Sequence, residues 1–246
     1  MVLRKDKLSE ISGLNPALAV ASGGTGESTS RLICGLRFNT SAAFIRIYPG
    51  TAFIPGIGRS VTLSEETLIN LNGLAPSTWQ NVYLYENGGV AAIEISAIAP
   101  VAYSYPAQHK TGDPSRRYVG SFRVAASGSI LEQTSIDGHC HYISGWEGQR
   151  MLSAGVATTL TAINVGTVVP EQATAVTVAI TNSSTVGGYV VYVTCRPTDG
   201  GPTTQPGGKI VYTLPLFTYP NIYYRLNGAT SGAAAYIDVG GYDYAR

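Results

Sequence analysis

Lys110-Thr-Gly-Asp-Pro-Ser-Arg-Arg-Tyr-Val-Gly-Ser-Phe-Arg-Val-Ala125 divides into a turn and a strand. Thr111 to Ser115 is turn chemistry: glycine tolerates positive φ, aspartate bonds back to its own backbone and proline presets φ. Arg116 to Ala125 then reads as one long strand. Strict alternation puts Arg117, Val119, Ser121 and Arg123 on one face and Tyr118, Gly120, Phe122 and Val124 on the other. Arg116, Arg117, Arg123 and Asp113 are therefore candidates for an interface or for ion pairs, with Asp113 or Glu94 as partners.

Outward from this strand the pattern stays β. Gln80 to Glu86 and Val90 to Ser96 flank Asn87-Gly88-Gly89, a hairpin signal because asparagine and glycine both accept positive φ. Arg31 to Phe38, Ala43 to Tyr48, Ser60 to Leu63 and Ser129 to Gln133 are further strands, and Ser64 to Leu68 reads as a short helical turn. After a looser stretch containing a strand from Cys140 to Trp146, strands return at Thr158–Val165, Thr174–Thr181, Gly188–Arg196, Lys209–Leu216, Asn221–Leu226, Ala234–Val239 and Tyr242–Tyr244. Pro197 to Gly208 is a Pro/Gly/Thr-rich loop. The expected fold is all-β: two β-sandwich or jelly-roll-like domains, residues 31–134 and 135–246, after an N-terminal arm and Gly-rich linker at residues 1–30.

The chain has 246 residues, a formal net charge of +1, and 13% charged residues, about half the usual ~25%. No basic field is available for nucleic acid. Hydrophobic residues reach 44% and tyrosines number 16. A surface this poor in charge is expected to face other copies of the chain or to be neutral and polar, and tyrosine suits interfaces. No apolar run approaches the ~18 residues of a membrane span, so no membrane insertion is expected. No signal peptide is read at the charged N-terminus. Cys34, Cys140 and Cys195 lie far apart in apolar runs and read as buried free thiols.

Chemistry is sparse. His139 and His141 share a strand face, but Asp137 is the one further ligand nearby, short of the three or four that a metal site needs. The carboxylates are scattered and no Gly-x-Ser-x-Gly elbow is present. No enzyme activity, metal or cofactor is expected. In the tyrosine-rich final third, Tyr219, Asn221, Tyr223 and Tyr242 are candidates for a surface ligand. Aromatic platforms beside amides suit sugar rings, whereas the plainer alternative is core or subunit-interface packing. Trp79 and Trp146 read as core or interface anchors.

Thr111-Gly-Asp-x-x-Arg-Arg-Tyr-Val-Gly-Ser-Phe-Arg123, preceded by Trp79-Gln-Asn-Val-Tyr-Leu-Tyr85, resembles a β-domain that recurs in virion proteins of tailed bacteriophages, chiefly tail fibres and head fibres. The resemblance covers roughly residues 31 to 134. Leu18-Ala-Val-Ala-Ser-Gly-Gly-Thr-Gly26 is similar to the apolar, then Gly-Gly-Thr-Gly element of such fibres. The resemblance implies a homotrimer in the virion, assembled in the host cytoplasm. An N-terminal arm (Leu14, Pro16, Leu18 and Val20) would dock on other virion proteins of capsid or tail, and β-domains would face outward. The chain departs from tail fibres in having one Gly-Gly-Thr-Gly element and no shaft. A short head fibre, a capsid decoration or a tail-tip component fits its length as well. The alternative within this class is an adhesin that binds host-surface glycans through its loops.

Overall fold

The computed structural model describes residues 33–104, 107–143, 149–185, 188–198, 201–228 and 232–246. The arm residues Leu14, Pro16, Leu18 and Val20, the Gly-Gly-Thr-Gly element and Trp146 lie outside the described residues. Among the described residues there are 21 β-strands and no α-helix. In chain order they begin β1 (Ile33–Gly35), β2 (Phe38–Thr40), β3 (Phe44–Ile47), β4 (Gly50–Ile54), β5 (Arg59–Leu63), β6 (Thr67–Asn70) and β7 (Trp79–Asn87). Next come β8 (Val90–Ser96), β9 (Pro100–Ser104), β10 (Ala107–Lys110), β11 (Asp113–Arg123), β12 (Gln133–Ile136), β13 (His139–Tyr142) and β14 (Arg150–Gly155). The last are β15 (Thr161–Asn164), β16 (Ala173–Asn182), β17 (Val191–Thr194), β18 (Thr203–Thr204), β19 (Lys209–Pro215), β20 (Asn221–Leu226) and β21 (Ala235–Tyr244).

The strands form antiparallel sheets with the orders β1-β4-β5, β8-β7-β11-β10-β9, β15-β20-β17-β18 and, the largest, β19-β16-β21-β13-β12-β2-β3-β6 with β14 added beside β21. Two hydrophobic cores result. Phe38, Ile45 and Ile47 of the large sheet meet Val82, Leu84, Val119 and Phe122 of the β7/β11 sheet and Ala52 and Ile54 of β4. Val176, Val178 and Ile180 of the large sheet meet Val191, Val193, Ile222 and Leu226 of the four-stranded sheet. Each such fully buried aliphatic side chain contributes about 1.5–3 kcal/mol relative to exposure. The all-β, sandwich-like expectation holds.

The proposed break between residues 134 and 135 falls inside β12. That strand pairs with β2 on one side and β13 on the other. The two halves therefore own separate cores but share one continuous sheet. Tyr83 and Tyr118, from the first half, pack into the core of the second.

Strand β11 does not alternate as read. A bulge between Tyr118 and Gly120 shifts its register against β7. Val119, Phe122 and Val124 consequently share one core, while Tyr118 enters the other. A bulge inserts one residue and reverses parity beyond it, which no period-2 template allows. Gly120 sits where β11 crosses the large sheet. A Cβ there would lie 2.5 Å from the Tyr244 hydroxyl and 2.6 Å from Phe38 Cε1, so no larger residue fits without displacement.

Other expectations need correction. Thr67 to Asn70 is an edge strand beside β3, not the end of a helical turn. Ser129 to Gln133 contributes an isolated bridge, Val124 to Ile130, before β12 begins. Cys140 is buried, but Cys195 is half-buried and Cys34 exposed.

Candidate functional site

The turn and strand around Asp113 build a compact charged cluster. Glu94 on β8 accepts from Arg116 Nε at 2.7 Å and from Lys110 Nζ on β10. The Arg116 guanidinium lies 3.9 Å from the centre of the Tyr85 ring and 3.8 Å from Asp113. Asp113 in turn accepts from the backbone N–H and the hydroxyl of Ser115 at 3.0 and 2.6 Å, which is the expected aspartate turn. Burial pushes the Glu94 carboxyl up, but the hydrogen bonds and charges of Lys110 and Arg116 outweigh it and hold Glu94 below its ordinary value. The Ser115 hydroxyl, opposed by burial and aided by the Ser115 N–H and the nearby cations, lowers Asp113. Arg116 and Asp113 thus form the ion pairs expected of them. Arg123 instead stands 5.6 Å from the centre of the Trp79 ring.

Arg117 differs from its neighbours. It is fully buried, and among the described residues its Nε, Nη1 and Nη2 have no hydrogen-bond partner. Burial and the repulsion of Arg246 lower its pKa to about 10, which leaves it cationic at neutral pH. Arg246 is itself nearly buried and donates to the Gly35 carbonyl at 3.1 Å and to Asp137 at 2.6 Å.

The candidate tyrosines part company. Asn221 and Tyr223 stand two residues apart on β20 and share its outer, half-buried face, while Ile222, Tyr224 and Leu226 enter the core. Arg225 continues the outer face and stacks on Tyr192 of β17 at 4.4 Å. Tyr219 directs its hydroxyl to the Val169 carbonyl at 3.2 Å. Tyr242 is not a surface residue at all. Its ring is fully buried, edge-on to Trp79 at 6.0 Å, and its hydroxyl donates to the Ser121 carbonyl at 2.8 Å. Tyr118, Tyr142 and Tyr244 surround the same centre. Burial raises the hydroxyl pKa values of Tyr118, Tyr142 and Tyr242 well above the ordinary value, so the cluster packs and hydrogen-bonds as neutral phenols.

His139 bonds to Asp243 at 2.8 Å, and Asp137, the further ligand considered for a metal, is engaged by Arg246. Among the described residues no three His, Cys, Asp or Glu side chains come together. The described residues of the Pro197–Gly208 stretch are less open than its composition implies. Val193 donates to the Pro202 carbonyl at 3.1 Å, and Thr203–Thr204 forms an edge strand on β17.

Two features escaped the sequence reading. The first is the Arg150–Asp238 pair, bidentate at 2.8 and 3.2 Å with Asp238 buried. Its partners face each other across β14 and β21, and nothing local connects residues 88 apart. The second is the apolar rim at and just after β19, an edge of the large sheet, where Val211 is 53% and Tyr212 49% exposed within the strand and Phe217, beyond it, 58%. Val211 and Tyr212 lie in the edge strand and Phe217 just beyond its end, and apolar residues exposed at an edge cannot be told from those of a half-buried strand by pattern alone.

No family model matches the chain, and no curated protein matches it.

Proposed function

We propose that this chain is a non-enzymatic structural protein of a tailed-phage virion, a trimeric fibre or capsid decoration that is anchored by its N-terminal arm and displays its β-sheets outward. The observation that carries the reading is the pairing of the two sequence segments on which the resemblance rests. Trp79–Tyr85 and Thr111–Arg123 lie 26 positions or more apart in sequence, yet β7 and β11 are direct neighbours, with Arg123 opposite Trp79 and Arg117 opposite Leu84. The resembling residues thus lie on adjacent strands of one five-stranded sheet. The exposed apolar edge at β19 and the low charge of the chain favour burial against further copies. Function is then binding without turnover, and the Glu94–Arg116–Lys110 cluster is a structural clasp.

The test is immunogold electron microscopy of particles from the source system, with antibody to this chain. Label on heads or tails is expected and distinguishes decoration from fibre. Particles free of label would overturn the reading. Sedimentation of the purified chain should show a trimer, and deletion of residues 1–30 should abolish incorporation into particles.

A second reading, a glycan-binding tail-tip adhesin, is favoured by the outer face of the four-stranded sheet, where Asn221, Tyr223 and the Arg225–Tyr192 stack lie together. Amides and stacked aromatic faces match sugar hydroxyls and ring faces. Glycan-array binding that is lost in Tyr223→Ala, with the fold intact, would support it. An array blank for the wild-type chain would remove it.

A further inference from the structure

We infer that Arg117 holds a small inorganic anion of halide size, enclosed inside the fold. A guanidinium presents five N–H donors and keeps its proton in proteins. All three Arg117 nitrogens are buried and, among the described residues, without a hydrogen-bond partner. Glu94, Asp113 and Asp137 are engaged by other groups: Glu94 by Lys110 and Arg116, Asp113 by Ser115 and Arg116, and Asp137 by Arg246. The second guanidinium near Arg117 is cationic as well, and its charge acts on Arg117 unfavourably. Arg246 is paired with Asp137, whose side chain is 74% exposed, so that pair reaches solvent, and the Arg117 guanidinium is the charge left uncompensated in the interior. An uncompensated buried charge is among the most costly features a fold can carry.

One monovalent anion balances that charge and accepts the free N–H groups. The size follows from the burial. The Arg117 side chain is 0% exposed, so the ligand is enclosed as the chain folds and is of one or a few atoms. A peptide carboxylate or a nucleotide phosphate would need an opening that the closed surface over Arg117 does not offer.

The experiment measures thermal and urea unfolding of the full chain at constant ionic strength while sodium gluconate is exchanged for sodium chloride. An anion bound by the folded state alone stabilises it by mass action, and at a hundredfold excess over its dissociation constant the midpoint should rise by roughly 5–10 °C. In Arg117→Met the chloride dependence should vanish. Equal midpoints for the wild-type chain in the two salts would overturn the inference. Should Arg117→Met fail to fold, crystals of the wild-type chain grown in bromide decide the matter. An anomalous peak in contact with the Arg117 guanidinium is expected, and peaks confined to the surface, an adventitious ion only, would overturn it.

Discussion

Glu94 shows how a single side chain records its surroundings. Its folded pKa is depressed below the ordinary 4.5 because two cations outweigh its burial. A depressed carboxylate contributes stability that is complete above the unfolded value and lost as the pH falls through the folded one. The stability of the wild-type chain should therefore drop as acid is added below pH 4.5. In Glu94→Gln that loss should be shallower, as read from urea midpoints across an acid series. Tyr242 and Tyr223 make the complementary point. Tyr242→Phe removes a buried O–H donor and should cost about 1 kcal/mol. Tyr223→Ala, on a half-buried outer face, should stay within about 0.5 kcal/mol, again by urea unfolding. The pairing of Arg116 was legible because an arginine and an aspartate three residues apart share a turn. The burial of Tyr242 was not, because an aromatic residue near a strand end reads alike whether it faces core or water.

At the scale of the element, the hairpin was the most legible part. Asn87 pairs with Val90, and Gly88 and Gly89 take φ of 58° and 88°, the primed-turn geometry that joins two antiparallel strands. A Cβ at Gly89 would meet nothing within 4 Å, so Gly89→Ala tests backbone strain alone and should cost about 1 kcal/mol. Gly88→Asn should be nearly neutral, as measured by thermal unfolding of both variants. Val90–Ser96 and Asn221–Leu226 also stand as read. Strand β21 was read as two pieces separated by Gly240-Gly241, since glycine weakens a strand. It is continuous instead, because at Gly241 the Cys140 carbonyl of β13 occupies the space a Cβ would take. Glycine there marks close approach between strands, a tertiary cause with no local trace. Strands β9 and β10 were missed for a related reason: Gln108, His109 and Lys110 look like loop until Val101 and Arg117 are seen opposite His109.

The whole molecule is tied together by β12, which stitches the large sheet across the midpoint of the chain. Two cores joined by an unbroken sheet should melt as one unit. Calorimetry of the full chain should give a single transition, and fragments 31–134 and 135–246, expressed alone, should remain unfolded or aggregate. Two resolved transitions would argue for independent domains. The composition showed that the chain is β-rich and poor in charge, but not that its halves share a sheet, because strand pairing over such distances leaves no mark in either partner's own sequence. The position of β21 carries a further consequence. It pairs with β16 along one side and with β13 and β14 along the other, yet it follows every one of them in the chain. During translation those three strands emerge first and wait with open edges for a neighbour that the ribosome has not yet made. Closure is therefore late and non-local, which slows folding. A nascent chain that stalls before residue 235 is left as an adhesive, half-built sheet for chaperones and proteases to dispose of.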